Sequence, residues 1–478
     1  MKWHGLALLA VATLRAHVGS PDVFFEGAAG PYPLFVTIRP PAVIPGVSQI
    51  EIRTSAVDVG RIRITPLPLS GEGAKYAPTP DTATRSKDDP QYFTGSLWLM
   101  VSGSWQVRIE VDGGSGAGEL SVPVPAVALR TSEMQVAMGA LLFALMILLS
   151  WGAVSIAGAA VRDAQLEPGL EPSADQRRRG RRVMAGAAVA VLVVLYLGNA
   201  WWKVEAGAYD RYIYKPLRMT AALESGERLV LKLSDPGWLR MRSLDDFIPD
   251  HTHLMHLFMI RLPEMERVWH LHPRMRETGV FEHELPPTPA GRYQLYADVV
   301  HKNGFPETLV AEIDLPEVTG KPLEGDDSAG AGPAMSQAGN DRVVAELSGG
   351  ARLLWDRPTE PYRVKKPYLF RFRVVDADGQ PAKDLELYMG MPGHAAFVRR
   401  DRKIFAHVHP SGSVPMAALA LAQRPAPVDP HSGHGAAKSL PPQVSFPYGV
   451  PEAGQYRLLV QIRKAGKVET GIFDFKVE

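Results

Sequence analysis

The chain has 478 residues and no cysteine. That excludes disulfides, zinc ribbons and thiol catalysis. It also lacks an excess of charge of either sign. Its 52 Lys and Arg balance 51 Asp and Glu, for a formal net charge of +1. With no basic, aromatic-laced stretch either, a nucleic-acid partner is not expected. Two long segments have no charged residue at all, Met134 to Val161 and Val183 to Trp202. Each is long enough for the ~20 residues that a bilayer crossing needs. Neither holds an intramembrane Asp, Glu, Lys, Arg or His, which counts against a transporter or proton pump.

Between these segments lie Arg162, Arg177, Arg178, Arg179, Arg181 and Arg182. The positive-inside rule puts this short Arg-rich loop, residues 162–182, in the cytoplasm and both flanking regions outside. The N-terminus agrees. Lys2, the apolar run Gly5 to Leu14 and the Leu14-Arg15-Ala16 site read as a signal peptide over residues 1–16.

With 44 Gly and 41 Pro, the remaining chain divides into short alternating segments separated by turns, the pattern of β-sandwiches. The expected fold is mainly β, with three immunoglobulin-like sandwiches. The first covers residues 17–130, with Ser70 to Pro90 as a long loop. A transmembrane hairpin follows, with helices over 134–161 and 183–202. The second and third sandwiches cover 206–318 and 341–478. Residues 319–340 are rich in Gly, Ala and Ser and read as a linker.

The second and third sandwiches are an internal repeat. His256-Leu257-Phe258-Met259-Ile260-Arg261 runs on to Val268-Trp269-His270-Leu271-His272-Pro273. His394-Ala395-Ala396-Phe397-Val398-Arg399 runs on to Phe405-Ala406-His407-Val408-His409-Pro410. The flanks recur too, as Gly291-Arg292-Tyr293 and Gly454-Gln455-Tyr456. Each unit reads as a β-hairpin. A turn at Asp401-Arg402 pairs His394 with His409 and Ala396 with His407. A turn at Pro263-Glu264-Met265 pairs His256 with His272. Side chains alternate along a strand, so each hairpin turns three histidines to one face, on strands about 5 Å apart.

Three converging imidazoles suit a Zn or Cu ion. Upstream, His251 and His253 align with Met389 and Met391. The first unit therefore offers imidazoles, His251, His253, His256, His270 and His272, which suit Cu(II) or Zn. The second offers Met389, Met391, His394, His407 and His409, and thioether sulfur favours Cu(I). His17, at the expected mature N-terminus, and His431 and His434 in a His-rich loop are weaker metal candidates. The plain alternative is that all these residues are packing, the usual use of Met. No carboxylate is expected near the histidines, because Glu264, Glu266 and Asp401 fall at the far turns. With no His-Glu-x-x-His motif either, an enzyme is not expected.

The block Ala29 to Ile38 and the Gly103-Ser104-Trp105-Gln106-Val107-Arg108 strand resemble the YtkA-like and FixH-like family of bacterial extracytoplasmic β-sandwiches. Tyr388-Met389-Gly390-Met391-Pro392-Gly393-His394, with Phe405 to Pro410, is similar to a domain of bacterial envelope proteins associated with heavy metals. The resemblance covers the β units and not the membrane hairpin. It implies an extracytoplasmic compartment, a β-sandwich fold and a leaning towards copper, with zinc as the alternative that the imidazole sets leave. Joined to the two uncharged segments and the Arg-rich loop, the expectation is a two-pass protein of the bacterial inner membrane with both terminal regions in the periplasm. The expected function is metal binding for copper tolerance, or delivery to a copper-trafficking or respiratory oxidase-assembly partner. The alternative is a non-catalytic assembly module of a membrane complex with structural histidines. For the topology, we predict that a reporter fused after Glu478 is active in the periplasm; activity only in the cytoplasm would contradict it.

Overall fold

The computed structural model describes residues 21–478 except 165, 168, 240, 336–341 and 424–439. The expected signal peptide, His17, His431 and His434 lie outside the described residues. The fold is mainly β: three immunoglobulin-like sandwiches, with two long apolar helices between the first and the second.

The helices form a compact unit of their own, residues 128–214. They run Val136–Asp163 and Ala174–Tyr209, and both are long and apolar enough to cross a membrane. Gly158 and Gly180 let them approach closely; a Cβ on Gly158 would lie 2.3 Å from Met184 Cγ. The Arg-rich segment expected as a loop, residues 162–182, is helical at its two ends, over 162–163 and 174–182. Ser173 caps the second helix, accepting a hydrogen bond from the Gln176 N–H while Gln176 Oε1 accepts from the Ser173 N–H. Arg177 to Arg182 thus fall in its first turns. Arginine is a good helix former, and a long cationic side chain can reach polar surroundings from a helix end.

In the other unit, the first sandwich pairs Val23–Ala29, Tyr32–Arg39, Gly46–Thr54 and Tyr92–Leu99 in one sheet. Val59–Pro68, Gly103–Gly113 and Gly116–Ala126 lie in the other. Alternation buries Leu34, Val36, Ile50 and Ile52 with Ile62, Ile64, Val107 and Ile109. The Ser70 to Pro90 loop carries two short strands, Asp81–Thr82 and Thr84–Arg85. The edge strand of this sandwich reaches the third one. Phe24 joins the third core, and the Glu26 N–H donates to the Ser411 carbonyl over 2.7 Å. Gly412 makes this approach possible: its φ is +129°, and a Cβ there would sit 1.9 Å from the Phe24 carbonyl oxygen.

The second and third sandwiches repeat one plan. In the second, His256–Leu262 lies between Gly291–His301 and Arg267–Leu271. In the third, His394–Arg399 lies between Gly454–Lys464 and Phe405–Val408. The hairpin registers are those the sequence implies. Phe258 faces His270 in the first and Ala396 faces His407 in the second. These strands are buried on both faces, which explains why they read as continuous apolar runs. Leu257 and Met259 point into the second sandwich's own core, and Ala395 and Phe397 into the third's. The opposite faces press against each other. Phe258, Ile260, Val268 and Tyr296 of one repeat form a single cluster with Ala396, Val398, Phe405 and Leu459 of the other.

Polar contacts lock this junction. The buried Arg457 pairs with Asp474 at 2.7 Å and also donates to the carbonyls of Met265 and Pro333. The Tyr296 hydroxyl donates to the Arg402 carbonyl over 2.8 Å. The stretch expected as a linker takes part. Ser328–Ala331 is a strand paired with Arg267–Leu271, and a Cβ on Gly330 would stand 2.7 Å from Thr470 Cβ. Its small residues are there because two sheets close on it, not because the chain must swivel.

Candidate metal centre

The hairpin faces that meet between the repeats carry the histidines at one end. Because the strands are buried on both sides, the imidazoles are buried as well: His256, His270, His272, His394 and His409 are at most 7% exposed, as is the side chain of His407 at 6%. They assemble into two groups. A ring nitrogen of each of His256, His270 and His272 lies within 4.8 Å of the others. The same holds for His251, His394 and His409. His251 belongs to the first repeat by sequence and was expected beside His256. It instead crosses the junction, because its turn meets the turn of the other repeat: the His251 Nδ1–H donates to the Met389 carbonyl over 2.7 Å.

Hydrogen bonds fix which nitrogen of each ring carries the proton, because only an N–H can face a carbonyl. In the first group, His256 Nε2–H donates to the Asp250 carbonyl at 3.0 Å, so its Nδ1 is a bare lone pair. His270 Nδ1–H donates to Gln461 Oε1 at 2.9 Å, leaving Nε2 bare. The Gln461 amide is oriented by its own Nε2, which donates to Ser328 Oγ over 2.7 Å. His272 Nδ1–H donates to Asp327 Oδ1 at 2.9 Å, leaving Nε2 bare. In the second group, His394 Nε2–H donates to the Tyr388 carbonyl at 3.2 Å, and His409 Nδ1–H to the Val414 carbonyl at 3.2 Å. Their free nitrogens are Nδ1 and Nε2, to which His251 adds its Nε2.

Two consequences point to a cation. First, the free nitrogens crowd together. His256 Nδ1 stands 3.2 Å from His270 Nε2, and both have their protons on the other ring nitrogen. His407, outside both groups, hydrogen-bonds His394 Nδ1 through its Nε2 at 3.2 Å. Two nitrogens bound to one tetrahedral zinc at about 2.0–2.1 Å would be about 3.3 Å apart. Second, Nε2 of His251, His272 and His409 are buried with no hydrogen-bond partner. Leaving a buried polar atom unsatisfied costs about 1–3 kcal/mol each. A structural metal site contributes on the order of 10 kcal/mol or more, enough to offset all three.

A proton cannot take the cation's place near neutral pH. Burial, reinforced by the neighbouring imidazoles, holds His270, His272, His394 and His407 well below the ordinary histidine value. Burial brings His256 to about 4 against the opposing pull of Asp250. Burial, with His251 beside it, brings His409 to about 3. All are therefore neutral, the form a metal requires. Each proton-bearing nitrogen is meanwhile held by a carbonyl, carboxylate or amide, the usual outer support of a metal-ligating histidine.

The expectation that no carboxylate stands near the histidines is not met. His253 does not join either group; its Nε2 meets Asp326 Oδ2 at 3.1 Å and its ring stacks on His272. Asp327 holds His272 and also meets His283 at 3.4 Å. Asp298 Oδ2 lies 3.4 Å from His407 Nδ1, and burial raises Asp298 to about 7. Asp326 and Asp327 sit in the stretch that composition marks as a linker, where nothing in the sequence singles them out. Asp298 and Gln461 could have been noticed as the one polar residue in each of two apolar stretches, Tyr296 to Val300 and Leu458 to Ile462. Met389 and Met391 lie in the half-buried turn before His394, where the Met389 carbonyl accepts from His251.

Residues 350–478 match a domain of unknown function, DUF8832. No curated protein matches the chain. Among solved structures, it is similar to a tetra-tandem repeat from the extending region of a large adhesion protein, at 8% identity over 91% of this chain and 71% of that one, TM-score 0.16. A 1.5-MDa bacterial ice-binding adhesin matches at 5% identity over 91% and 89%, TM-score 0.16. The ICAM-5 D1–D4 ectodomain fragment matches at 8% over 93% and 77%, TM-score 0.15. Likenesses this slight carry no argument about function.

The buried neutral imidazoles make stability depend on pH. Unfolded, each histidine titrates near about 6.5. Below that pH the unfolded chain binds more protons than the folded one, so stability falls as pH drops from about 6.5 towards 4, by up to about 1.4 kcal/mol per unit and histidine. Asp298 works the other way, being protonated in the fold up to about 7, and offsets roughly one histidine. We predict that the metal-free protein has its highest denaturation midpoint above pH 6.5 and a markedly lower one at pH 5. A midpoint unchanged across that range would contradict the neutral, buried assignment.

Proposed function

We propose that this chain is a membrane-anchored periplasmic metal-binding protein that handles copper, for tolerance or for delivery to an oxidase. The observation that carries the reading is the convergence of buried, unprotonated imidazole nitrogens between the two C-terminal sandwiches. Packing histidines normally satisfy both ring nitrogens, and Nε2 of His251, His272 and His409 has no partner. Imidazole sets suit Cu(II) and Zn alike, and the chain has no thiolate to favour zinc. The two long apolar helices are the anchor.

The role proposed is binding rather than turnover. Among the described residues the carboxylates near the histidines are engaged: Asp327 by His272 and His283, Asp326 by His253, Asp250 by the Ala417 N–H, and Asp298 by Thr308, whose hydroxyl donates to it over 2.5 Å.

The test is metal analysis of the full chain purified in detergent, for the native protein and for His270→Ala with His272→Ala. The native protein should retain copper through desalting, and the double variant should lose the ion of the first group while the second group keeps its own. Retention of zinc in preference to copper would reassign the metal. A native protein that takes up neither, with a double variant that unfolds, would make the histidines packing residues of an interaction module.

A further inference from the structure

The two repeats do not merely face each other; they exchange supporting groups in matched pairs. Asp298 and Gln461 occupy equivalent positions, opposite His256 and His394 on the neighbouring strands. Yet Gln461 of the second repeat holds His270 of the first, and Asp298 of the first lies against His407 of the second. The turns before the hairpins behave alike. Asp250 and His253 are joined by a short bridge, as are Tyr388 and Met391. His251 and Thr252 have φ of 48° and 74°, and Met389 and Gly390 have 50° and 79°. The carbonyl of Asp250 receives His256, and that of Tyr388 receives His394. From the first of these turns, His251 crosses to His394 and His409. From the second, the Tyr388 hydroxyl reaches across to the first repeat, donating to the Asp326 carbonyl at 2.7 Å and lying 3.4 Å from His270 Nδ1.

We propose that Met389, which takes the place of His251 in the second turn, is the reciprocal ligand: its thioether completes the first centre, with His256, His270 and His272. The first centre is then three imidazoles and one sulfur, and the second is imidazole alone. This moves Met389 away from the histidines of its own repeat, with which the sequence groups it. It makes the two centres chemically unequal. A thioether is a soft ligand that favours Cu(I) and adds little for zinc, so the first centre prefers Cu(I) and the second serves Cu(II) or zinc. The inference rests on the proposed metal-binding function and adds the identity of one ligand to it.

X-ray absorption on the full chain in detergent, loaded with Cu(I) under reducing conditions, tests it, alongside a competition titration. Met389→Leu and Met391→Leu are compared with the native protein, since a Met-to-Leu exchange nearly conserves volume and keeps the fold. The native spectrum should contain a sulfur shell beside the imidazole nitrogens. Met389→Leu should lose that shell and bind one of its Cu(I) ions about tenfold or more weakly, with zinc affinity unchanged; Met391→Leu should resemble the native protein. A native protein that binds copper without a sulfur shell overturns the inference and leaves the proposed function standing. So does a shell that survives in Met389→Leu or is lost in Met391→Leu. A native protein that binds no metal overturns both.

Discussion

The site depends on the packing of one sheet face of the second sandwich against the equivalent face of the third. Phe258, Ile260 and Val268 meet Ala396, Val398 and Phe405 there, and that contact excludes water from the strands at whose ends the histidines stand. Exposed, the same imidazoles would be hydrated, protonated near pH 6.5 and mutually repelling. Buried, they stay neutral and their unused lone pairs have no water to bond. The apolar junction therefore creates the electronic condition for metal binding, and the Arg457–Asp474 pair with its bonds to the Met265 and Pro333 carbonyls holds the junction in register.

The same packing explains why the centres are shared between repeats. A hairpin face that must bury itself against its duplicate brings the duplicate's turns and strands within reach of its own histidines. His251, Gln461 and Asp298 each act on the partner repeat for this reason. Duplication first gives two copies of a three-histidine face. Docking then lets a residue on one copy specialise for the other, which is how His251 and Met389 can occupy one structural position and differ in chemistry.

Much of the fold was legible in the sequence, because its signals are local. Alternation gave the sandwiches, the uncharged runs gave the two apolar helices, and turn lengths gave the register that sets His270 opposite Phe258 and His407 opposite Ala396. What was not legible is what depends on docking. The alignment of His251 with Met389 is correct, but alignment cannot say that His251 leaves its own repeat. The Gly- and Ala-rich stretch looks like a linker because small residues serve a tether and a tight interface equally well; its pairing with Arg267–Leu271 and the closeness of Gly330 to Thr470 distinguish them. Asp326 and Asp327 were hidden in that stretch.

The central claim is that two ions lie between the repeats, one among His256, His270 and His272 and one among His251, His394 and His409. Anomalous diffraction from crystals of the protein grown with copper, collected on both sides of the copper absorption edge, tests this most directly. The account predicts a peak in each group, with the second bonded to His251 from the opposite repeat. Peaks confined to surface histidines, or none at either group, would contradict it.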